Sequence, residues 1–295
     1  MQKIVPHLWY DQEAKEAAEF YASLFPNSEI TSVRTITNTP SGDCDIVSFK
    51  LWDYSFMAIS AGPLFKFNPS ISISVQCESE DQIDKLHKAL SEGGKDLMPL
   101  DRYPWSRKYA WTADKYGFTW QLNLPNEQSD VRQRINPALM YTKDTYGKAE
   151  EAMNFYSSVF PNSKINSIFR YEKGQEPDKE GNVAHGEFEL FGELMMALES
   201  AREHDFKFNE AVSLMVNCDT QEEIDNYWEK LSAVPESEQC GWLKDKYGVS
   251  WQIVPRQLDE MMKTKDQAQL DRVTQAFLKM KKFDIAELQR AYEGK

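Results

Sequence analysis

The chain has 295 residues, which is enough for two domains with a hydrophobic core each. Its formal net charge of −13 at pH 7 argues against binding to nucleic acids or to anionic membrane surfaces, because both partners require a basic protein surface. No apolar segment reaches the roughly 20 residues of a membrane-spanning helix, and the chain does not start like a signal peptide. We therefore expect a cytoplasmic protein with reduced cysteines, which are Cys44, Cys77, Cys218 and Cys240.

The first 124 residues predict the same series of elements twice. Alternating apolar residues predict a strand over 4–10, and apolar residues at helical spacing predict a helix over 13–24. Three strand-like segments follow, at 30–36, 45–51 and 56–61. The series then restarts with a strand at 71–77 and a helix at 82–90, and it ends with extended segments as far as residue 124. The order is βαβββ in both cases.

The rest of the chain repeats this first part. The segment F-Y-A-S-L-F-P-N-S-E-I at Phe20 corresponds to F-Y-S-S-V-F-P-N-S-K-I at Phe155. Similarly, D-K-Y-G-F-T-W-Q at Asp114 corresponds to D-K-Y-G-V-S-W-Q at Asp245. Because the matches occur in the same order, they indicate a duplicated domain. The expected domains are residues 1–127 and 134–256, with a polar linker within 126–134.

Residues 257–295 follow the second copy and have a helical pattern. Asp266 and Asp284 have the spacing of helix N-caps, each with Gln or Glu three residues later. Leu270, Val273 and Phe277 then fall on one helical face together with Met280. We expect a C-terminal helical extension that packs back on the domains. The alternative is that its apolar face docks a partner.

Three motifs that recur in order carry a family resemblance. They are F-Y-x-S-x-F-P-N-S, the segment S-F-M-A-I-S-A-G-P with F-K-F-N, and D-K-Y-G-x-x-W-Q. These motifs resemble the PhnB-like branch of the vicinal-oxygen-chelate superfamily, which includes glyoxalases, bleomycin-resistance proteins and dioxygenases. Members of this branch are often labelled as a 3-demethylubiquinone-9 3-methyltransferase domain. The resemblance covers both copies.

The resemblance implies an α+β fold of tandem glyoxalase-like domains. Four βαβββ units would form cup-shaped, mostly antiparallel sheets, and a C-terminal helical tail would follow. The sequence leaves open whether these units pair within a copy or exchange between copies. The fold does not fix an activity. We do not expect methyl transfer, because the glycine pair Gly93-Gly94 follows a helix and so predicts a helix C-cap rather than a cofactor-binding turn.

The resemblance also implies positions for a metal site. In metal-using relatives, the ligands come from the first strand and the last strand of a unit. These positions correspond to His7, Ser72 and Gln121 in the first copy, and to Ala138, Ser213 and Gln252 in the second. Catalytic zinc or iron usually needs three strong ligands such as imidazole or carboxylate. We therefore expect no metal or other cofactor, although a divalent metal in the first copy is an open alternative.

Two histidines are candidates for catalysis, and each also has a structural interpretation. His7 shares a strand face with Trp9, where it either lines the cup or is a packed, hydrogen-bonded residue. His185 shares a face with Glu187, and the pair is either a general base with its acid or part of a solvated strand edge. Trp105 lies in a loop beside two arginines and is a candidate to cover a ligand. The pocket candidates are therefore Trp9, Trp105 and Glu187.

The function that we expect is the binding of a small molecule in a cup-shaped pocket without a catalytic metal. The alternative is a glyoxalase- or dioxygenase-like enzyme that uses His7 or His185. Both hypotheses name a small-molecule ligand, and neither needs a nucleic acid or a membrane. We expect a monomer whose two copies form a pseudo-twofold pair, because duplication can replace a homodimer, which stays the alternative.

Overall fold

The computed structural model describes residues 2–39, 41–127, 132–264 and 266–295, with only the backbone at Asn38. Within the predicted linker, residues 128–131 lie outside the described part. The chain forms two compact units. The first unit contains residues 1–65 and 209–295, and the second contains residues 66–208. No helix in the described ranges is long and apolar enough to span a membrane.

The first copy contains two consecutive modules, and both have the predicted order. The first module consists of β1 (Ile4–Tyr10), α1 (Ala14–Leu24), β2 (Glu29–Thr39), β3 (Gly42–Leu51) and β4 (Tyr54–Ser60). The second consists of β5 (Ile71–Gln76), α2 (Glu80–Ser91), β6 (Lys95–Tyr103), β7 (Ser106–Ala113) and β8 (Thr119–Leu124). The observed ends differ from the predicted ones by only a few residues.

The second copy contains a complete third module and a shortened fourth one. The third consists of β9 (Ile135–Tyr141), α3 (Ala149–Val159), β10 (Lys164–Arg170), β11 (Val183–Leu190) and β12 (Glu193–Glu199). The fourth consists of β13 (Val212–Cys218), α4 (Gln221–Leu231), β14 (Trp242–Lys244) and β15 (Ser250–Pro255). The tail has three helices, α5 (Arg256–Met261), α6 (Gln267–Phe277) and α7 (Ile285–Glu293). The fourth of the predicted βαβββ units therefore has one strand fewer, because the sequence lacks the segment that corresponds to β6.

Each of the two sheets combines one module from the first copy with one module from the second. The sheet of the first unit has the order β14-β15-β13-β1-β4-β3-β2, and that of the second has β10-β11-β12-β9-β5-β8-β7-β6. Each sheet is thus made from one module of each copy, joined by an antiparallel pair, β1 with β13 and β5 with β9. The expected boundaries at 1–127 and 134–256 follow the sequence copies, whereas the compact units cut across them.

Strand alternation gives each sheet two different faces. One face is covered by two of the helices α1–α4, and it buries residues such as Leu8, Trp120 and Trp251 completely. We call the opposite face the inner face. It carries His7 in the first unit and Gln121 in the second, because both alternate with those core residues. The predicted core role of Trp120 and Trp251 is confirmed.

The two repeated motifs have structural roles. In F-P-N-S, the asparagine adopts a left-handed conformation, with φ of 53° at Asn27 and 52° at Asn162. The next serine then accepts a hydrogen bond from the turn between the third and fourth strands, as Ser28 Oγ does from the Trp52 amide at 3.0 Å. In D-K-Y-G-x-x-W-Q, Asp114 Oδ1 accepts two backbone amides and Oδ2 accepts Trp120 Nε1 at 2.9 Å. The asparagine, serine and aspartate of these motifs therefore stabilise turns of the fold.

The tail occupies the edge where the fourth module lacks a strand. The Cys240 and Gly241 amides donate to the carbonyls of Met280 and Lys281, at 2.8 and 2.7 Å. These bonds satisfy backbone groups beside β14 that would otherwise lie at an open sheet edge. Phe283 packs so closely on Gly241 that a Cβ atom there would lie 2.4 Å from its ring. The predicted N-caps at Asp266 and Asp284 are confirmed, and the tail packs back on the fourth module.

We predict that Phe283→Ala destabilises the edge formed by residues 239–254. Phe283 is only 2% exposed, and truncation of a buried phenylalanine typically costs about 3–5 kcal/mol. Hydrogen exchange of the amides in this segment measures the effect locally and should be faster in the variant. Lys279→Ala, at an exposed position of the same tail, is the control and should leave exchange unchanged. Equal exchange in both variants would contradict the proposed edge contact.

Candidate functional site

The inner face of the first unit brings His7 next to residues of the fourth module. His7 is paired across the sheet with Ser213 on one side and with Met57 on the other. Gln252 Nε2 donates to Ser213 Oγ at 2.9 Å. All three polar side chains of this group, those of His7, Ser213 and Gln252, are at most 6% exposed. The first unit therefore has one imidazole, one hydroxyl and one amide at its centre.

Burial determines the charge of His7. The side chain is 4% exposed, and its desolvation lowers the pKa of the imidazole to about 3. His7 is therefore neutral at physiological pH, and it is a poor general base because its conjugate acid is so strong. Its ring lies edge-on to Trp242, with 5.5 Å between the ring centroids.

Aromatic side chains continue this face on both sides of His7. Trp9, a predicted pocket residue, contacts Trp242 at 6.1 Å and Phe65 at 5.0 Å between ring centroids. Its Nε1 donates to the carbonyl of Gly62 at 2.8 Å, so the indole is held in place. Trp9 retains partial exposure, which is consistent with a position that lines an accessible part of the face.

The inner face of the second unit has a different centre. Ala138 is paired with Ser72 and with Met196, and it occupies the position that corresponds to His7. Gln121 Nε2 donates to Ser72 Oγ at 2.7 Å, and the Tyr109 hydroxyl donates to Gln121 Oε1 at 3.0 Å. Burial raises the pKa of Tyr109, so its hydroxyl stays protonated as a donor. This centre is neutral, and the Gln121 amide links the Ser72 and Tyr109 hydroxyls.

His185 and Glu187 lie on the same inner face of the second unit. The distance between His185 Nε2 and Glu187 Oε1 is 3.6 Å, and both side chains are about one third exposed. The imidazole beside Glu187 holds the pKa of that carboxyl below its usual value. Glu187 is paired with Met196, next to Ala138, so the pair reaches the centre of the face. It is an accessible imidazole–carboxylate pair on an internal strand, not on a sheet edge.

Trp105 belongs to an aromatic cluster at the turn between β6 and β7. It is 58% exposed, and its ring stacks on Tyr103 with 5.0 Å between centroids. It also contacts Tyr109 edge-on at 6.1 Å, and Tyr109 bonds to Gln121. The neighbouring Arg107 is paired with Glu80 at 2.6 Å. Trp105 is therefore connected to the centre of the inner face through a single tyrosine.

The structure corrects the grouping of the predicted ligand positions. The sequence copies grouped His7 with Ser72 and Gln121, but His7 is paired with Ser213, close to Gln252. Ala138 is correspondingly grouped with Ser72 and Gln121. The reason is the exchange of modules, which places the first strand of one copy beside the second half of the other. Sequence reasoning also missed Tyr109, which shares a face of β7 with Trp111 but belongs to no recurring motif.

Neither set of residues fits a catalytic metal. In the first unit the donors are one imidazole, one hydroxyl and one neutral amide, and the amide nitrogen already donates to the hydroxyl. In the second unit alanine takes the place of the imidazole. Within the described ranges, no three His, Cys, Asp or Glu side chains are grouped to hold a metal ion. Because zinc and iron sites usually need three such ligands, we derive no metal-dependent step.

A separate open groove of about 840 Å³ lies elsewhere in the second unit. Its charged lining is mixed, since Lys143, Lys179 and Arg202 are accompanied by Glu203 and Asp205. None of the inner-face residues described above belongs to this lining. The groove therefore has no dominant charge and no connection to the predicted site residues.

Comparison with known proteins agrees with the duplicated architecture. The sequence model of the family described as 3-demethylubiquinone-9 3-methyltransferase matches the chain twice, over residues 2–123 and 133–254. A PhnB protein from Bacillus cereus is 41% identical, with 42% of this chain and 99% of that chain covered and a TM-score of 0.40. Glyoxalase I from Zea mays is 10% identical, covers 88% of this chain and 96% of its own, and has a TM-score of 0.56. The maize protein thus shares the tandem glyoxalase-like fold. A comparison with curated proteins finds no match.

We predict a pH dependence of stability that comes from His7. Because the pKa of His7 is about 3 in the folded protein and about 6.5 when unfolded, the unfolded state binds more protons between these values. The contribution of His7 to stability is therefore present above pH 6.5 and is lost as the pH falls. Between pH 7 and pH 5, we expect the loss to be about 2 kcal/mol larger in the wild type than in His7→Gln. Chemical denaturation at both pH values measures it, and parallel losses would show that His7 is not buried as a neutral group.

Proposed function

The chain belongs, in two copies, to the family described as 3-demethylubiquinone-9 3-methyltransferase, within the PhnB-like branch of the vicinal-oxygen-chelate superfamily, and from this premise we propose that it binds a small molecule. The proposed site is the inner face of the second unit. Binding there uses hydrogen bonds and apolar contacts without a catalytic metal. The observation that carries the proposal is the neutral centre formed by Ala138, Ser72 and Gln121.

This centre has donors and acceptors that the bonds described leave unused. Ser72 accepts the bond from Gln121, so its own hydroxyl proton remains available to a ligand oxygen. Gln121 uses one of its two amide protons and one of the two lone pairs of Oε1 in the bonds described. A small molecule with a carbonyl or a similar polar group matches these donors and acceptors.

The surroundings of this centre are apolar. Met140 and Met196 lie on the same face and are 9% and 8% exposed. Methionine side chains adapt to ligands of different shape because they are unbranched and polarisable. Trp105 and its stacked partner Tyr103 add aromatic surface at one end of the sheet. A ligand with one polar group and an apolar body therefore suits the face, as in typical small-molecule sites.

The family description names methyl transfer, which we do not propose as the activity. The sheets are mostly antiparallel, and parallel pairing is confined to the first and last strands of a module, as in β1 with β4. Gly93 follows helix α2 with φ of +74°, which is the conformation of a helix C-cap. Neither feature supports the glycine-rich turn of a doubly wound cofactor-binding fold.

A second candidate function is catalysis by the pair His185 and Glu187. Their separation of 3.6 Å and partial exposure on the same inner face favour proton transfer to or from a bound substrate. The His185 imidazole holds the pKa of Glu187 below its usual value, so Glu187 is a carboxylate at neutral pH. His7 is a weaker candidate because burial keeps it neutral.

We predict that the protein binds no divalent metal stoichiometrically. The donor sets of both units lack three strong ligands, so a metal would gain too little to replace its hydration shell. Elemental analysis of protein purified without a metal-affinity tag, before and after incubation with Zn²⁺, Mn²⁺, Ni²⁺ and Fe²⁺, measures the content. About one metal per chain that disappears in His7→Ala would overturn the metal-free proposal.

We further predict that ligand binding depends on Gln121 and not on Gln252. A thermal-shift screen of small carbonyl- and amide-bearing molecules supplies the ligand, and titration calorimetry compares Gln121→Met with its matched control Gln252→Met. Loss of hydrogen bonds from the amide should weaken binding about tenfold in Gln121→Met, whereas Gln252→Met should bind like the wild type. Equal affinity in both variants would place the ligand elsewhere. Turnover of a bound molecule that is lost in His185→Gln would favour the catalytic function.

A further inference from the structure

The inner face of the first unit carries a cation where the second carries an aromatic ring. Arg34 on β2 corresponds to Phe169 on β10, since both lie six residues after an F-P-N-S motif. Similarly, Ile46 and Ser48 stand at the positions of His185 and Glu187. The first unit thus has neither the imidazole nor the carboxylate of the other face, and it has Arg34 instead. The two faces therefore carry different side chains at these corresponding positions.

The register of the sheet places Arg34 in line with apolar side chains. Arg34 is paired with Ile46, Ile46 with Ile59, and Ile59 with Trp9. All these side chains are partly exposed rather than buried. A cation at the end of a row of accessible apolar side chains is suited to a molecule that has an acidic group and an apolar body.

Helix α5 supplies such a combination from within the chain. Asp259 Oδ1 accepts hydrogen bonds from Arg34 Nη1 and Nη2, both at 3.3 Å. The adjacent Leu258 and Met261 are buried, at 9% and 5% exposure. The helix thus presents a carboxylate to Arg34 beside apolar side chains, as an acidic apolar ligand would.

The ion pair between Asp259 of α5 and Arg34 contributes little to stability. Asp259 is about half exposed, and it also pairs with Lys263 at 3.0 Å, so Arg34 has a shared partner. Exposed ion pairs contribute little to stability. The start of the helix is held separately, through Gln257 Nε2, which donates to the Asp219 carbonyl at 2.9 Å. The contact with Arg34 can therefore open without release of the whole tail.

We propose that the inner face of the first unit is a second binding site, for a carboxylate-bearing apolar molecule, and that α5 is its built-in competitor. Asp259 occupies Arg34 in the absence of ligand, and a ligand carboxylate takes its place. Ile46, Ile59 and Trp9 then contact the apolar body of the ligand. This inference is independent of the function proposed for the second unit, because it uses none of the same residues.

The test uses the full chain, with decanoate as the acidic apolar probe below its critical micelle concentration. Titration calorimetry compares the wild type with Asp259→Ala and with the double variant Arg34→Ala/Asp259→Ala. We expect Asp259→Ala to bind decanoate about fivefold more tightly than the wild type, because the internal competitor is gone. The double variant should lose this gain, since the cation that binds the carboxylate is absent.

Three controls make the result specific to this site. Glu260→Ala removes a neighbouring acid of α5 that has no bond to Arg34 among the described residues, and it should leave affinity unchanged. Decyltrimethylammonium has the same chain length with a positive charge, and Asp259→Ala should not improve its binding. Gln121→Met in the Asp259→Ala background should not alter decanoate affinity, which separates this site from that of the second unit. Unchanged affinity in Asp259→Ala, or retained gain in the double variant, would overturn the proposal.

Discussion

The antiparallel pairing of β1 with β13, and of β5 with β9, is the constraint on which both proposed sites depend. Each pair joins modules from different copies and lies within its sheet rather than at an edge. The register at these pairs places His7 beside Ser213 and Ala138 beside Ser72. A shift of one residue would turn every side chain of a strand to the other face, so the buried layer under the helices fixes this register. The composition of each inner face is therefore a consequence of core packing.

Duplication has allowed the two inner faces to diverge. At corresponding positions, the first unit has His7, Arg34 and Ser48, whereas the second has alanine, phenylalanine and glutamate. The serine and the glutamine that bonds to it are present in both units, in the same geometry. The hydrogen bond between this serine and this glutamine orients the amide in each sheet. The positions that differ between the units determine which charged side chains the inner face carries. The scaffold is thus shared, while the chemistry of each face is its own.

Much of the fold follows from the sequence because it depends on local patterns. Strand alternation, helical spacing and the caps at Asp266 and Asp284 are encoded within a few residues. The exchange of modules is not, because β1 has the same apolar alternation whichever strand it pairs with. The contact of the tail with the sheet edge could not be predicted from the sequence either. It uses the backbone carbonyls of Met280 and Lys281, which every residue type has. The sequence therefore identifies candidate residues one by one, whereas the order of strands in the sheets determines which of them lie together.

The two inner faces differ in the surroundings of their imidazoles. His7 lies at the position that metal-using relatives exploit, but it is desolvated and neutral, with amide and hydroxyl neighbours that are already bonded to each other. His185 is about one third exposed and has a carboxylate oxygen of Glu187 3.6 Å away. A buried neutral imidazole packs against its neighbours and can form hydrogen bonds. An exposed imidazole beside a carboxylate can exchange protons with a ligand. The site proposed for the first unit therefore depends on Arg34, and the site proposed for the second depends on Gln121 and lies on the same face as His185 and Glu187.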